Sequence, residues 1–154
     1  MHMPSLKTFF SSVFGASKRL SDLEKLILDS VRSQLDAQTI QLWDKQIQAI
    51  NKIQRLPEGS EVNFYRMKDG KPTFDPELSF MNKTVELQVA KLDIKLANVS
   101  QILTAIVWSV NGFLFSIEYK GNLNLFEDAA DEDTRSELKI DCDLKEDLAR
   151  IATK

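Results

Sequence analysis

Two β-rich runs, QILTAIVWSV and FLFSIEY, flank Asn111-Gly112 and dominate the hydropathy pattern of this chain. Asn-Gly between such runs predicts a two-residue hairpin turn, because both central residues of a type I′ turn need φ > 0 and these two adopt it at least cost. A two-residue loop also sets the register. It places Val110 opposite Phe113, Trp108 opposite Phe115, Ile106 opposite Ile117 and Thr104 opposite Tyr119, all on one face. Each such aromatic or β-branched pair adds roughly 0.2–1 kcal/mol over an alanine pair, so this ladder reads as the face that helices cover. Ala105, Val107, Ser109, Leu114, Ser116 and Glu118 fall on the other, mixed face.

Helical spacing dominates the N-terminal third. Leu6, Phe9, Phe10, Val13 and Phe14 predict an amphipathic helix within residues 4–20, with Gly15 as a stop signal. Lys7, Lys18 and Arg19 lie there with no acid, so packing on the domain or a partner competes with a membrane-surface role. Ser21-Asp22-Leu23-Glu24 fits a capping box, followed by a face of Leu23, Leu26, Ile27 and Val31. Asp36 reads as a second N-cap, opening a helix through about Ile53 with Ile40, Trp43, Ile47 and Ile50 in one stripe. The stripe is short for a coiled coil and is expected to pack on the aromatic face of the hairpin. Pro57 and Gly59 end it.

Alternation returns downstream. Glu61 to Met67 predicts a strand with Val62 and Phe64 on one face, and Asp69-Gly70 a second hairpin turn. Thr84 to Leu96 predicts a long strand whose parity switches near Val89-Ala90, the mark of a β-bulge. Asp128 to Asp133 reads as a solvated loop, Leu138 to Leu144 as a short strand, and Lys145 to Ala152 as a closing helix. The fold class expected is α+β: N-terminal helices on one face of a four- to five-stranded antiparallel sheet centred on the 101–119 hairpin. After the helix at 4–20, residues 21–154 read as one domain with an acidic C-terminal segment, 127–154, holding ten acids and five bases.

Composition narrows the chemistry. The formal net charge of -3 favours neither nucleic acid nor an anionic membrane. Cys142 is the only cysteine and cannot form an internal disulfide, so a reducing, cytoplasmic setting is expected. The Met1-His2-Met3 start reads as an expression remnant, and His2 is the only histidine. Without another histidine there is no Ser-His-Asp or Cys-His arrangement and no histidine-based zinc site. Neither phosphate-binding glycine motif is present. No catalytic residue, cofactor or metal site is therefore expected.

Three further features carry some chemistry. Asp128, Asp131, Glu132 and Asp133 form a carboxylate cluster that lacks calcium-loop spacing and its glycine, so a solvated acidic loop is expected. Cys142 lies between Asp141 and Asp143, whose charge disfavours a thiolate. Phe64, Tyr65, Arg66, Lys68 and Lys71 mix aromatic and basic side chains. Runs such as NFYRMKDGKP and VNGFLFSIEY have the general look of small bacterial proteins, though no motif ties them to a named family.

The function expected is a non-catalytic protein-binding module, in its most concrete form an acidic immunity, inhibitor or adaptor protein with a basic protein partner. Asp128, Asp131, Glu132, Asp133, Tyr65 and Arg66 are its candidate contact residues. A small-molecule binder or carboxylate enzyme, using Glu86, Asp93 and Glu118 in a pocket between sheet and helices, is the alternative. A peripheral membrane protein is the third reading, and self-association is left open.

Overall fold

A computed structural model describes residues 19–151, so the N-terminal helix expected within 4–20 falls almost wholly outside the described residues. Helix α1 (Asp22–Arg32) starts at the capping box. Ser21 Oγ accepts from the Glu24 N–H at 3.1 Å, and Glu24 Oε1 accepts from the Ser21 N–H at 2.7 Å. Two donors that the first turn would leave orphaned are thus paired. Asp36 caps α2 (Ala37–Ala49) by accepting from the Thr39 N–H. Arg32 and Asp44 join the two helices through paired hydrogen bonds of 2.8 and 2.9 Å.

Helix α2 ends earlier than its apolar stripe predicts. Ile50 already has extended backbone, and Lys52–Arg55 is strand β1, not the last turn of the helix. Ile50 and Ile53 are both buried, so a helical turn and a helix-to-strand switch around the same core leave the same apolar spacing. The remaining main-sheet strands are β2 (Glu61–Tyr65), β5 (Glu86–Leu96), β6 (Ile102–Val110), β7 (Phe113–Lys120) and β8 (Leu138–Leu144). Between them, β3 (Met67–Lys68) and β4 (Lys71–Pro72) form a small hairpin whose turn residues Asp69 and Gly70 both have φ > 0. The main sheet has the order β1-β2-β7-β6-β5-β8 with every neighbouring pair antiparallel. The fold is α+β as the pattern indicates, with six strands in the sheet, one more than the upper expectation.

At the central hairpin Asn111 (φ 53°) and Gly112 (φ 92°) make the tight turn, and Val110 pairs with Phe113. The register then departs from the expected ladder. Phe115 is an extra residue in β7, so Trp108 pairs with Ser116, Val107 with Ile117 and Ala105 with Tyr119. The bulge carries Ile117 and Tyr119 to the opposite face, where they join Leu103, Ala105, Val107 and Leu114 in the main core. The helices cover this face, not the aromatic one. Two side chains hold the bulge in place: Gln46 Oε1 accepts from the Leu114 N–H at 2.7 Å, and Arg66 Nη1 donates to the Leu114 carbonyl at 2.9 Å. The expected bulge in β5 is present at Val89, whose carbonyl accepts from the Lys145 N–H at 2.8 Å.

The helix layer supplies Leu23, Ile27, Leu28, Val31 and Trp43 to the core, and Trp43 stacks on Phe80 with centroids 6.1 Å apart. A further helix, α3 (Leu123–Ala129), follows β7 under an Asn122 cap and buries Phe126. It takes in the start of the acidic run: Asp128 sits in its last turn, and Ala129 and Ala130 are buried. That stretch is therefore a helix end followed by a turn, not a simple loop. The expected closing helix does not form. Residues 145–151 are irregular, pinned where the Asn82 N–H donates to the Leu148 carbonyl and Leu148 is buried.

Candidate functional site

Strand alternation gives the sheet a second face, on which none of the buried helix side chains packs. Tyr65 stands there on β2, Trp108 on β6, and Phe113 and Phe115 on β7; none of the four belongs to the core under the helices. Tyr65 meets Phe115 edge-on at 5.6 Å. Phe74, reaching over from the segment after β4, meets Phe113 edge-on at 5.4 Å and remains 56% exposed. Trp108, Phe115 and Val110 are half-buried, and Ile102 at the far end of β6 is 47% exposed. The Phe115 bulge explains part of this display: it sets Phe113 and Phe115 on the open face while Leu114 and Ile117 point to the core.

Within this face lies an open hollow of about 220 Å3 lined by Glu61, Glu86, Trp108, Val110, Phe115, Ser116 and Glu118. The Trp108 indole N–H donates to Glu118 Oε1 at 3.3 Å. Glu61 pairs directly with Glu118 across β2 and β7, placing two like charges side by side. Among the described residues, no lysine or arginine forms an ion pair with any of the three glutamates. Asn63, opposite Ser116 on the same face, is buried, and its Oδ1 has no hydrogen-bond donor. Lys52 lies 5.8 Å from the centre of the Tyr65 ring.

The six candidate contact residues do not come together. Tyr65 is on the open face. Arg66, its neighbour, is buried: Nε donates to the Gln46 carbonyl at 3.1 Å and Nη1 to Leu114, with no carboxylate partner. Burial pushes its pKa down to about 10. Arg66 thus secures the end of α2 and the bulge. Asp128, Asp131, Glu132 and Asp133 are exposed around the end of α3, a helix that packs against α1. Asp131 accepts from the Thr134 hydroxyl and from the Asp133 and Thr134 N–H groups, and these bonds, the Thr134 side chain foremost, hold its pKa below the usual range. Among the described residues, no three His, Cys, Asp or Glu side chains are placed to share a metal ion.

Glu86, Asp93 and Glu118 all stand on the open face, so a pocket between sheet and helices would not contain them. Asp93 accepts from the Thr104 hydroxyl across the strands at 3.0 Å. Cys142 is half-buried on β8, and burial, with Asp143 second, raises its thiol pKa. Sequence reasoning missed Glu61 and Asn63 as neighbours of Trp108, because nothing in the alternation of β2 tells which strand it pairs with. No protein-family model, curated protein or solved structure matches the chain. Among the described residues, no helix is long and apolar enough to cross a membrane.

Proposed function

We propose that the protein is a non-catalytic binding module that engages a partner protein through the open sheet face. The observation that carries this reading is the aromatic row of half-buried Tyr65, Phe115 and Trp108, continued by exposed Phe74 over the buried Phe113, on the face turned away from the helix-covered core. Single exposed apolar residues are ordinary, but a contiguous patch on a folded surface marks an interaction site. Tryptophan and tyrosine are the side chains that contribute most once a partner excludes water. Glu61, Glu86 and Glu118, set among these aromatics, favour a basic partner. The hollows at Trp108 and beside Arg66 measure about 220 and 270 Å3, below the roughly 300–1,000 Å3 usual for a small-molecule site.

An acidic inhibitor, an immunity-type protein and an adaptor all share this profile. Asp128, Asp131, Glu132 and Asp133 lie off the open face, so their part is long-range steering of a basic partner rather than contact. The test is site-specific photocrosslinking in the native cell, with a photoreactive residue at Tyr65 or, as control, at exposed Gln41 on α2. Capture from position 65 that Trp108→Ala abolishes is expected. Capture from position 41 alone would move the interface to the helices and defeat the reading.

A further inference from the structure

We propose that the hollow at Trp108 is a guanidinium site, receiving an arginine side chain of the partner. This rests on the protein-binding reading above and names the group that the face recognises. The first support is the chemistry of the lining. Glu61, Glu86 and Glu118 are acceptors only, Ser116 can accept as well as donate, and the floor is apolar and aromatic. Glu118 gives Oε1 to the Trp108 N–H, which positions the carboxylate beside the indole and leaves its other oxygen for a ligand.

The second support is an unbalanced charge. Glu61 and Glu118 face each other directly, and among the described residues no cation pairs with either. Like charges directly opposite destabilise a sheet, and a bound cation reverses that sign.

These features together select guanidinium over ammonium. A guanidinium is flat, stacks on an indole or phenyl face, and spreads its donors in one plane towards several acceptors. An ammonium is a compact, strongly hydrated point charge that gains less from an aromatic floor.

The two tryptophans make the test direct. Trp43 is fully buried and Trp108 lines the hollow, so the two indole N–H signals of the 15N-labelled full-length protein report fold and site separately. The probe is Nα-acetyl-arginine N-methylamide, compared with its neutral isostere from citrulline and with the lysine analogue. The Trp108 signal should move saturably with the arginine probe, with a dissociation constant on the order of 10 mM, while Trp43 stays still. The citrulline and lysine probes should bind several-fold more weakly.

Substituting Glu61→Gln, Glu86→Gln and Glu118→Gln together should abolish the response with the Trp43 signal unchanged. Should that variant fail to fold, Glu61→Gln alone should weaken binding about threefold, the scale of one exposed ion pair. A Trp108 signal that ignores the arginine probe, follows citrulline equally or prefers lysine overturns the proposal, as does wild-type affinity in the triple variant. A silent titration beside an intact Tyr65 crosslink would remove the arginine site and keep the protein-binding face. Loss of both would remove both readings.

Discussion

The two faces of the sheet differ in how far their side chains are buried. Under the helices, β5 and β6 present Ala90, Leu92, Leu103, Ala105 and Val107, all fully buried. On the open side the same hairpin and its β2 neighbour present Trp108, Phe113, Phe115 and Tyr65. Phe64, Ile94, Ile117 and Tyr119 from the sheet and Trp43, Ile27 and Leu28 from the helices fill the space between the two layers. On the open face the aromatics pack mainly on one another, Tyr65 on Phe115 and Phe74 on the buried Phe113, and Tyr65, Trp108 and Phe115 stay partly in solvent. The surface that Tyr65, Trp108 and Phe115 leave in solvent is what a partner would cover. The two tryptophans sit one on each side of this divide.

The comparison breaks most visibly by truncation. Ile117→Ala, on the covered face, should cost roughly 2–5 kcal/mol of stability through lost transfer energy and a cavity. Phe115→Ala, two residues away on the open face, should cost about 1 kcal/mol or less, mainly its edge contact with Tyr65. Urea unfolding followed by circular dichroism measures both. Equal losses would mean that the open face is packed as a core and is not available to a partner.

Gln46 maintains the divide. Its amide nitrogen donates to the Leu78 and Gly112 carbonyls at 2.7 and 3.0 Å, and its oxygen accepts from Leu114 beside the bulge. Gln46→Ala strands these buried backbone groups and should cost roughly 2–3 kcal/mol. Trp108 fluorescence should shift as well, because the bulge sets which aromatics face outward. A loss below about 0.5 kcal/mol would show that water replaces the amide and that the bulge holds itself.

This clamp also explains what was legible in the sequence. The capping box at Ser21, the Asp36 cap, the Asn111-Gly112 and Asp69-Gly70 turns and the Val89 bulge are local, and each was readable from adjacent residues. The Phe115 bulge was not, because the groups that stabilise it come from Gln46 and Arg66, far away in the chain. One extra residue reverses the faces of Ile117 and Tyr119, so Trp108 and Phe115 face away from the helices while Ile117 and Tyr119 join the core beneath them. Strand β1 was hidden because Ile50 and Ile53 satisfy a helical stripe equally well. Asn122 followed by Leu123, Phe126 and Ala130 was a readable start for α3 that charge in the next residues obscured. Of the candidate site, Trp108, Phe115 and Glu118 were visible as residues, but their shared open face depends on the bulge.

At the hairpin tip the two faces are joined by Gly112. Its φ of +92° disfavours a side chain, and an added Cβ would lie 3.2 Å from Ser79 Cβ and 3.3 Å from the Phe80 carbonyl oxygen. Gly112→Ala should therefore lower stability by about 1–2 kcal/mol. The Phe80 N–H, which donates to the Gly112 carbonyl at 2.8 Å, should lose hydrogen-exchange protection in the same variant. Unchanged protection would place the strain in the turn alone.

The smallest expected effect has the opposite sign. Glu61 and Glu118 are directly opposed on the open face, so Glu61→Gln should raise stability by about 0.2–0.5 kcal/mol at low ionic strength. Glu86 faces Val110 rather than an acid, so Glu86→Gln should change less and serves as the control. The gain should fall as salt shortens the screening length from about 10 Å at 0.1 M towards about 3 Å at 1 M. Adding the arginine probe should reverse the ranking. Wild type then gains from a cation between two carboxylates, whereas the glutamine variant has one fewer charge to offer it. Thermal denaturation with and without the probe measures the crossing. A Glu61→Gln variant less stable than wild type without the probe would show that this glutamate is already paired, and the charge imbalance on which the open face was read would be gone.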